Sequence, residues 1–187
     1  KILKILLCLI GGSVLLLVLT LAGFYLYFAI PMQERITKLK NGDAWAGCPQ
    51  PAYVYPARFV TLFEDIEKGA IHHLLARYAL EDWPAKETRS LGRNLQALVA
   101  GLEIERHFSQ TQQVWLAMNN GYMAYRSDNC PIRGMNDAAH YYFGMPPAQL
   151  SVAEMALLVG IVKSANYYNP FDRPEKAQQR RDQVLQR

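Results

Sequence analysis

Acidic and imidazole side chains, the residue types used for acid–base chemistry, come closest together between residues 64 and 73. Glu64, Asp65 and Glu67 fall within four residues. A carboxylate placed beside a hydroxyl can act as a general base, but we interpret this cluster as an exposed acidic helix face. His72 and His73 follow, and a helix would direct adjacent residues to different sides. Since no Cys or carboxylate at ligand spacing accompanies them, we predict no metal site and no cofactor.

A second stretch of interest, residues 108–120, contains no charged side chain. Ser109 followed by Gln112 forms a capping-box pattern, which predicts a helix that starts at this point. Trp115 lies in the middle of this helix. Val114 and Met118 are apolar neighbours that would extend an apolar surface around the indole.

The elements that must position these residues are mostly helical. Helical periodicity covers residues 59–79, 84–108, 109–119, 135–143, 151–163 and 174–187, and no run alternates with period two long enough to demand a sheet. Ser151 with Glu154, and Asp172 with Glu175, are further capping-box patterns. We find no internal repeat. Residues 59–187 are enough for one hydrophobic core.

The N-terminus carries 26 uncharged residues, positions 5–30, with Lys1 and Lys4 before them. About 20 apolar residues suffice to cross a bilayer, whereas a signal peptide has only about 7–15 and a small-residue cleavage site. We therefore predict a membrane anchor at residues 1–33, a stalk at residues 34–58 and a domain at residues 59–187. The two lysines favour a cytoplasmic N-terminus and a translocated domain.

Charge and cysteine content limit the remaining alternatives. Beyond the anchor, 18 basic residues face 16 acidic ones, which is not the signature of a nucleic-acid-binding protein. Cys48 and Cys130 lie in the translocated part, where an oxidising compartment permits a disulfide. We expect them to form one, and the alternative is two free thiols.

The last third of the chain, residues 133–187, resembles the family 51 glycosyltransferases. These are the peptidoglycan transglycosylase domains of class A penicillin-binding proteins and monofunctional transglycosylases. The stretches "RGMNDAAHYYFG", "LSVAEMALLVG" and "YYNPFDRPEKAQQRRDQVL" match three successive family patterns. Eighteen positions fall on them: Gly134, Ala138, Ala139, Tyr142, Phe143, Gly144, Ala153, Glu154, Gly160, Tyr168, Asn169, Pro170, Pro174, Ala177, Arg180, Arg181, Val184 and Leu185. Residues 89–109 continue the resemblance in weaker form.

The resemblance implies a lysozyme-like α-helical domain that binds the lipid-linked precursor lipid II beside a bacterial inner membrane. In the family, one carboxylate is the base for the acceptor hydroxyl. Basic side chains, a second carboxylate and often a metal stabilise the departing pyrophosphate. The base corresponds here to Glu64, although the family's following Phe, His and Gly are absent. The segment that separates this motif from the next one in the family is also missing.

The other family positions are altered in this sequence. Trp115 takes the place of the second glutamate, and Asn119 keeps the family's Asn. Arg93 keeps one cation of a stretch whose Lys and Glu are lost. His72 and His73, with Leu74, stand where the family has Thr-Gln-Gln.

We therefore expect a catalytically inactive relative of the transglycosylases, a single-span inner-membrane protein with a periplasmic domain. Its function would be to bind another membrane or periplasmic protein, or a lipid-linked glycan such as lipid II, through Trp115, Asn119 and Arg93. The alternative is a divergent glycosyltransferase that uses Glu64 to polymerise lipid II. A third hypothesis is a scaffold that acts mainly through its anchor and stalk. We expect the Trp115 indole to fill the emptied pocket, the alternative being an exposed contact residue.

Overall fold

The computed structural model describes residues 2–41, 53–80, 91–125 and 131–187, and these are mostly helical. The prediction of a mostly α chain is confirmed. The helices are α1 (Ile2–Asn41), α2 (Ala57–Glu67), α3 (Ile71–Ala79), α4 (Leu91–His107), α5 (Gln110–Asn120), α6 (Gly134–Phe143), α7 (Val152–Val162) and α8 (Pro174–Leu185). A short 3-10 turn, Pro147–Gln149, precedes α7. Cys48, Cys130 and the predicted helix start near residue 84 lie outside the described residues.

One predicted helix is in fact two. The sequence predicts a continuous helix over residues 59–79, but α2 ends at Glu67 and α3 begins at Ile71. Lys68 leaves the helical conformation and Gly69 has a φ of 77°, which a residue without a Cβ adopts at no steric cost. The chain therefore turns between α2 and α3, and the two helices take independent directions.

A two-stranded hairpin, which the sequence did not predict, lies between α5 and α6. Strands β1 (Tyr122–Tyr125) and β2 (Pro131–Arg133) pair antiparallel, with Tyr122 opposite Arg133 and a bulge before Ala124. Strands of four and three residues are too short to show a period of two.

A single large core joins most of the described helices. Helix α3 packs mainly against α4, and α7 packs mainly against α8. The largest fully buried side chains include Phe59, Phe63, Leu75, Ile104, Met123 and Leu158. Each such side chain contributes about 1.5–3 kcal/mol through burial, so these contacts fix the relative positions of the helices that carry the candidate site.

Helix α1 continues without interruption past the predicted boundary at residue 33. The stretch Ile10–Leu39 is long and apolar enough to cross a membrane. Met32, Ile36 and Leu39 nevertheless belong to the core of the domain. The first turns of the predicted stalk are thus a helix that packs against the domain.

Two of the three predicted capping boxes are present at the starts of their helices. Ser109 Oγ accepts from the Gln112 amide, and the Gln112 side chain accepts from the Ser109 amide at 2.8 Å. Ser151 and Glu154 form the same arrangement. The predicted Asp172 box is wrong: α8 has no side-chain cap. The Asp172 carboxylate instead accepts from Asn169 Nδ2 at 2.7 Å, so it is not directed at the first turn of α8.

Candidate functional site

Trp115 lies on the solvent-facing side of α5, with 41 % of its surface exposed. Thr111 and Gln112 share this exposed side, whereas Val114 and Met118 are buried in the core. The expectation that the indole fills an emptied pocket is therefore wrong. The expectation that Val114 and Met118 extend its surface is wrong for the same reason. The physical cause is helix rotation, since one face of α5 supplies the core and position 115 falls on the other.

Asn119, one helical turn after Trp115, holds the chain segment that enters α2. Its Oδ1 accepts from the Tyr53 amide at 2.9 Å and from the Tyr55 hydroxyl at 3.3 Å, while its Nδ2 donates to the Trp115 carbonyl at 2.9 Å. Tyr55 Oη also donates to the Met118 carbonyl at 3.0 Å, and burial raises the pKa of this phenol. Both ends of the Asn119 amide are thus engaged within the protein.

Glu64 is half-buried on α2, between the buried Phe63 and Ile66 of the same helix. It does not line either of the two clefts described below.

Glu67, one turn after Glu64, occupies a different environment. It lines an open cleft of about 340 Å³ together with His73, Arg77, Lys163, Arg180 and Arg187. Burial raises the pKa of the Glu67 carboxyl, and the attraction of Arg180, Arg77, Lys163 and Arg187 partly opposes that rise. The interpretation of Glu67 as part of a solvated acidic face is therefore wrong.

Arg93 lines a second open cleft, of about 290 Å³, with Arg77, Tyr122, Lys163 and Asn166 among its other residues. Its Nη2 donates to the Leu80 carbonyl at 3.3 Å, at the end of α3. Arg77 and Lys163 contribute to both clefts. Arg77 also donates to the Val162 and Lys163 carbonyls at 3.1 and 3.3 Å, which fixes its guanidinium at the end of α7.

Arg180 adds the aliphatic part of its side chain to the packing of α7 against α8. A Cβ at Gly160 would lie 2.9 Å from Arg180 Cγ, so glycine is what allows this close approach. Arg180 Nε is buried and makes no hydrogen bond among the described residues.

The two histidines lie together instead of diverging. The His72 and His73 ring centroids are 4.0 Å apart, and His72 Nδ1 lies 3.1 Å from Glu105 Oε1. Within the described residues, no group of three or more His, Cys, Asp or Glu side chains is arranged to hold a metal ion.

The four predicted site residues thus do not converge on one cleft. Trp115 and Asn119 are neighbours on α5, Arg93 lines the smaller cleft, and Glu64 lines neither. Sequence reasoning missed Glu67 and Arg77, which share a cleft. The available signal was position, because Arg77 closely follows His72, His73 and Leu74, which the resemblance aligns with the family's Thr-Gln-Gln.

Comparisons with known proteins agree with the resemblance. The model of the family described as "Transglycosylase" matches residues 60–187. The chain is 40 % identical over 97 residues to Penicillin-binding protein 1B of Escherichia coli (strain K12), a match that covers 52 % of this chain and 11 % of the relative. It is 33 % identical over 99 residues to Penicillin-binding protein 1A of Pseudomonas aeruginosa, covering 53 % and 11 %, respectively. It is 36 % identical over 99 residues to Penicillin-binding protein 1A of Aquifex aeolicus, covering 53 % and 13 %.

Proposed function

Because the chain belongs to the transglycosylase family, we propose that it is a membrane-anchored transglycosylase-like protein that binds without polymerising glycan. Helix α1 anchors it in the inner membrane with the N-terminus in the cytoplasm, and the domain lies in the periplasm. The bound partner is another membrane or periplasmic protein, or a lipid-linked glycan that is held without being extended.

The observation that carries this proposal is the environment of position 115. The resemblance places a catalytic glutamate there, and this chain has an exposed indole, which can neither move a proton nor stabilise a leaving group through a metal. The helix itself is intact, with its capping box at Ser109 and its buried face in the core. Loss of the carboxylate is therefore compatible with a folded domain that has a different use for this surface.

The family's Asn is also used structurally in this chain. The Asn119 side-chain amide forms hydrogen bonds with the Tyr53 backbone and the Trp115 carbonyl, so it supports the segment before α2. Arg93 donates a hydrogen bond to the Leu80 carbonyl at the end of α3, which supports a role in positioning that helix beside the smaller cleft.

A divergent glycosyltransferase is the second candidate, and Glu67 is the observation that favours it. A carboxyl group with a raised pKa beside several cations is a common arrangement in catalytic sites. In this reading Glu67, or Glu64 as the resemblance suggests, would be the base, and Arg77 and Lys163 would stabilise the leaving group.

Co-purification tests the binding function. The full chain and an anchor-only control, residues 1–41, are each isolated from detergent-solubilised membranes, and bound proteins and undecaprenyl-linked glycans are identified by mass spectrometry. We expect a protein or a lipid-linked glycan that accompanies the full chain only. If the full chain retains nothing beyond what the anchor control retains, the binding proposal is wrong.

A further inference from the structure

The corner between α4 and α5 lies at the end of the domain that is nearest to the apolar part of α1. At one end of α4, Arg93 donates to the Leu80 carbonyl, and Arg35 of α1 donates to the adjacent Ala79 carbonyl. At the other end, the Glu103 carboxylate accepts from Tyr25 Oη and from Gln33 Nε2 of α1. Arg93 and Glu103 are ten residues apart on α4, and Arg35 and Tyr25 are ten residues apart on α1, so α4 runs antiparallel to α1 and ends beside Tyr25.

Further contacts support this alignment. Val99, in the middle of α4, packs against Phe28 and Ala29 of α1. The Arg106 guanidinium lies near the Tyr25 hydroxyl, and His107 Nδ1 lies 3.6 Å from Glu103 Oε2. Glu103 is almost completely buried. The last turn of α4 is thus fixed to α1 by a buried polar cluster.

The position of Tyr25 along α1 places this corner near a bilayer surface. About 20 residues are needed to cross the hydrocarbon core. Counted from residue 5, where the uncharged run begins, that length ends just before Tyr25. The last turn of α4 and the first turn of α5 therefore lie at the level of the headgroups on the side where the domain is.

The chemistry of the corner suits a headgroup layer. No Asp or Glu occurs between Arg106 and Asn120. Arg106 is exposed, and so are the uncharged side chains from Gln110 to Gln112 that precede the exposed Trp115. Trp115 lies five residues into α5, about 8 Å along its axis, which is comparable to the thickness of the polar layer. Trp is enriched at membrane interfaces, and cations near anionic lipids are favourable.

We propose that the surface formed by Arg106, Gln110–Gln112 and Trp115, the α4–α5 corner, contacts the phospholipid headgroups of the membrane that α1 spans. The inference rests on the proposed anchoring by α1. It assigns the exposed indole to the lipid surface and leaves the two clefts to other partners.

Fluorescence quenching tests this contact in the full chain. The protein, carrying Trp45→Phe and Trp83→Phe so that Trp115 is the sole indole, is reconstituted into vesicles of phosphatidylethanolamine and phosphatidylglycerol that contain a nitroxide-headgroup lipid. The matched control adds Trp115→Phe and Phe171→Trp. Phe171 is 61 % exposed and packs on Tyr141 and Tyr142 of α6, whereas α1 packs mainly against α4. We expect the headgroup nitroxide to remove most of the Trp115 emission and little of the control emission.

Three results would overturn the inference. Equal quenching at both positions by the headgroup nitroxide would show no preferred lipid contact at Trp115. Shielding of Trp115 from both the nitroxide and aqueous acrylamide would assign the indole to a protein contact. Release of the full chain from vesicles by alkaline carbonate would show that α1 does not anchor it, which would contradict the anchoring in the proposed function and this inference together. Loss of the binding function alone would leave the quenching result unchanged.

Discussion

At the level of single residues, Trp115 and Met118 lie three positions apart on α5 in opposite environments. Met118 is 1 % exposed and Trp115 is 41 % exposed. We expect Met118→Ala to lower the free energy of unfolding by about 2–5 kcal/mol, because it leaves a cavity in the core. Trp115→Ala should cost much less. Urea unfolding of both variants in the same detergent checks this, and a Trp115→Ala cost as large as that of Met118→Ala would contradict the exposed position.

Glu67 gives a residue-level prediction that depends on pH. Burial raises its pKa above the ordinary value of 4.5, so the folded protein binds this proton more tightly than the unfolded chain. The resulting stability is present below pH 4.5 and is lost as the pH rises through the raised value. Glu67→Gln has no carboxyl to ionise at this position, so the variant does not lose stability in this way as the pH rises. We therefore expect the Tm of Glu67→Gln, relative to the unmodified chain, to increase as the pH is raised above 4.5.

Asp65→Asn is the matched control for that experiment, since Asp65 is an exposed carboxylate two residues earlier on α2. Its Tm difference from the unmodified chain should change less over the same pH range. A Tm difference for Glu67→Gln that falls with rising pH would mean that the surrounding cations outweigh burial.

At the level of elements, the junction of β2 with α6 depends on a glycine. Gly134 has a φ of 74°, and a Cβ there would lie 2.5 Å from the Asn119 carbonyl oxygen. Gly144, which ends α6, has a φ of 69°, but a Cβ there would meet nothing within 4 Å. Gly144→Ala should therefore lower the free energy of unfolding by about 1–2 kcal/mol, the cost of placing alanine in the left-handed backbone conformation. Gly134→Ala should cost more, because backbone must also move. Equal costs in chemical denaturation would contradict the close approach to α5.

The capping box of α5 gives a second prediction at this level. Ser109→Ala removes the acceptor of the Gln112 amide, so we expect a loss of about 0.5–2 kcal/mol in the free energy of unfolding. Thr111→Ala changes an exposed position in the first turn and serves as the control. The same denaturation measurement compares the two, and indistinguishable variants would show that the cap contributes little.

The predicted elements that agree with the structure have strong local signals. Ser109 with Gln112, and Ser151 with Glu154, fixed two helix starts from sequence because a capping box involves only neighbouring residues. The β1–β2 hairpin was missed because strands of four and three residues are too short to show a period of two. The turn at Gly69 was missed because a single glycine is also tolerated inside a helical pattern. The exposure of Trp115 was mispredicted for a similar reason: the sequence defines a helix but not its rotation against the core. Glu67 was misread because its cations come from α3, α7 and α8.

At the level of the whole molecule, α1 serves both as the candidate membrane anchor and as part of the domain. Ile36 is 2 % exposed within the core, whereas Thr37 is exposed and donates only to the Gln33 carbonyl of its own helix. We expect Ile36→Ala to lower the free energy of unfolding of the domain by about 2–5 kcal/mol and Thr37→Ala to change it little. Limited proteolysis during a urea titration measures both. Equal stability of the two variants would show that α1 and the domain unfold independently.

The overall architecture also separates the residues that carry the family's fold from position 115. The packing of α7 against α8 involves residues from the best-matching third of the chain. Position 115 instead lies on an exposed face of α5, where the side chain contributes little to the core. A substitution at position 115 is thus compatible with the family's fold.

The most direct test of the central claim is glycan polymerisation. Purified full chain is incubated with labelled lipid II and divalent metal beside an active transglycosylase as positive control, and the products are separated by gel electrophoresis. We expect the positive control to form a ladder of glycan strands and this protein to leave lipid II unchanged. A ladder formed by this protein and abolished by Glu64→Gln or Glu67→Gln would contradict the claim that it binds without polymerising.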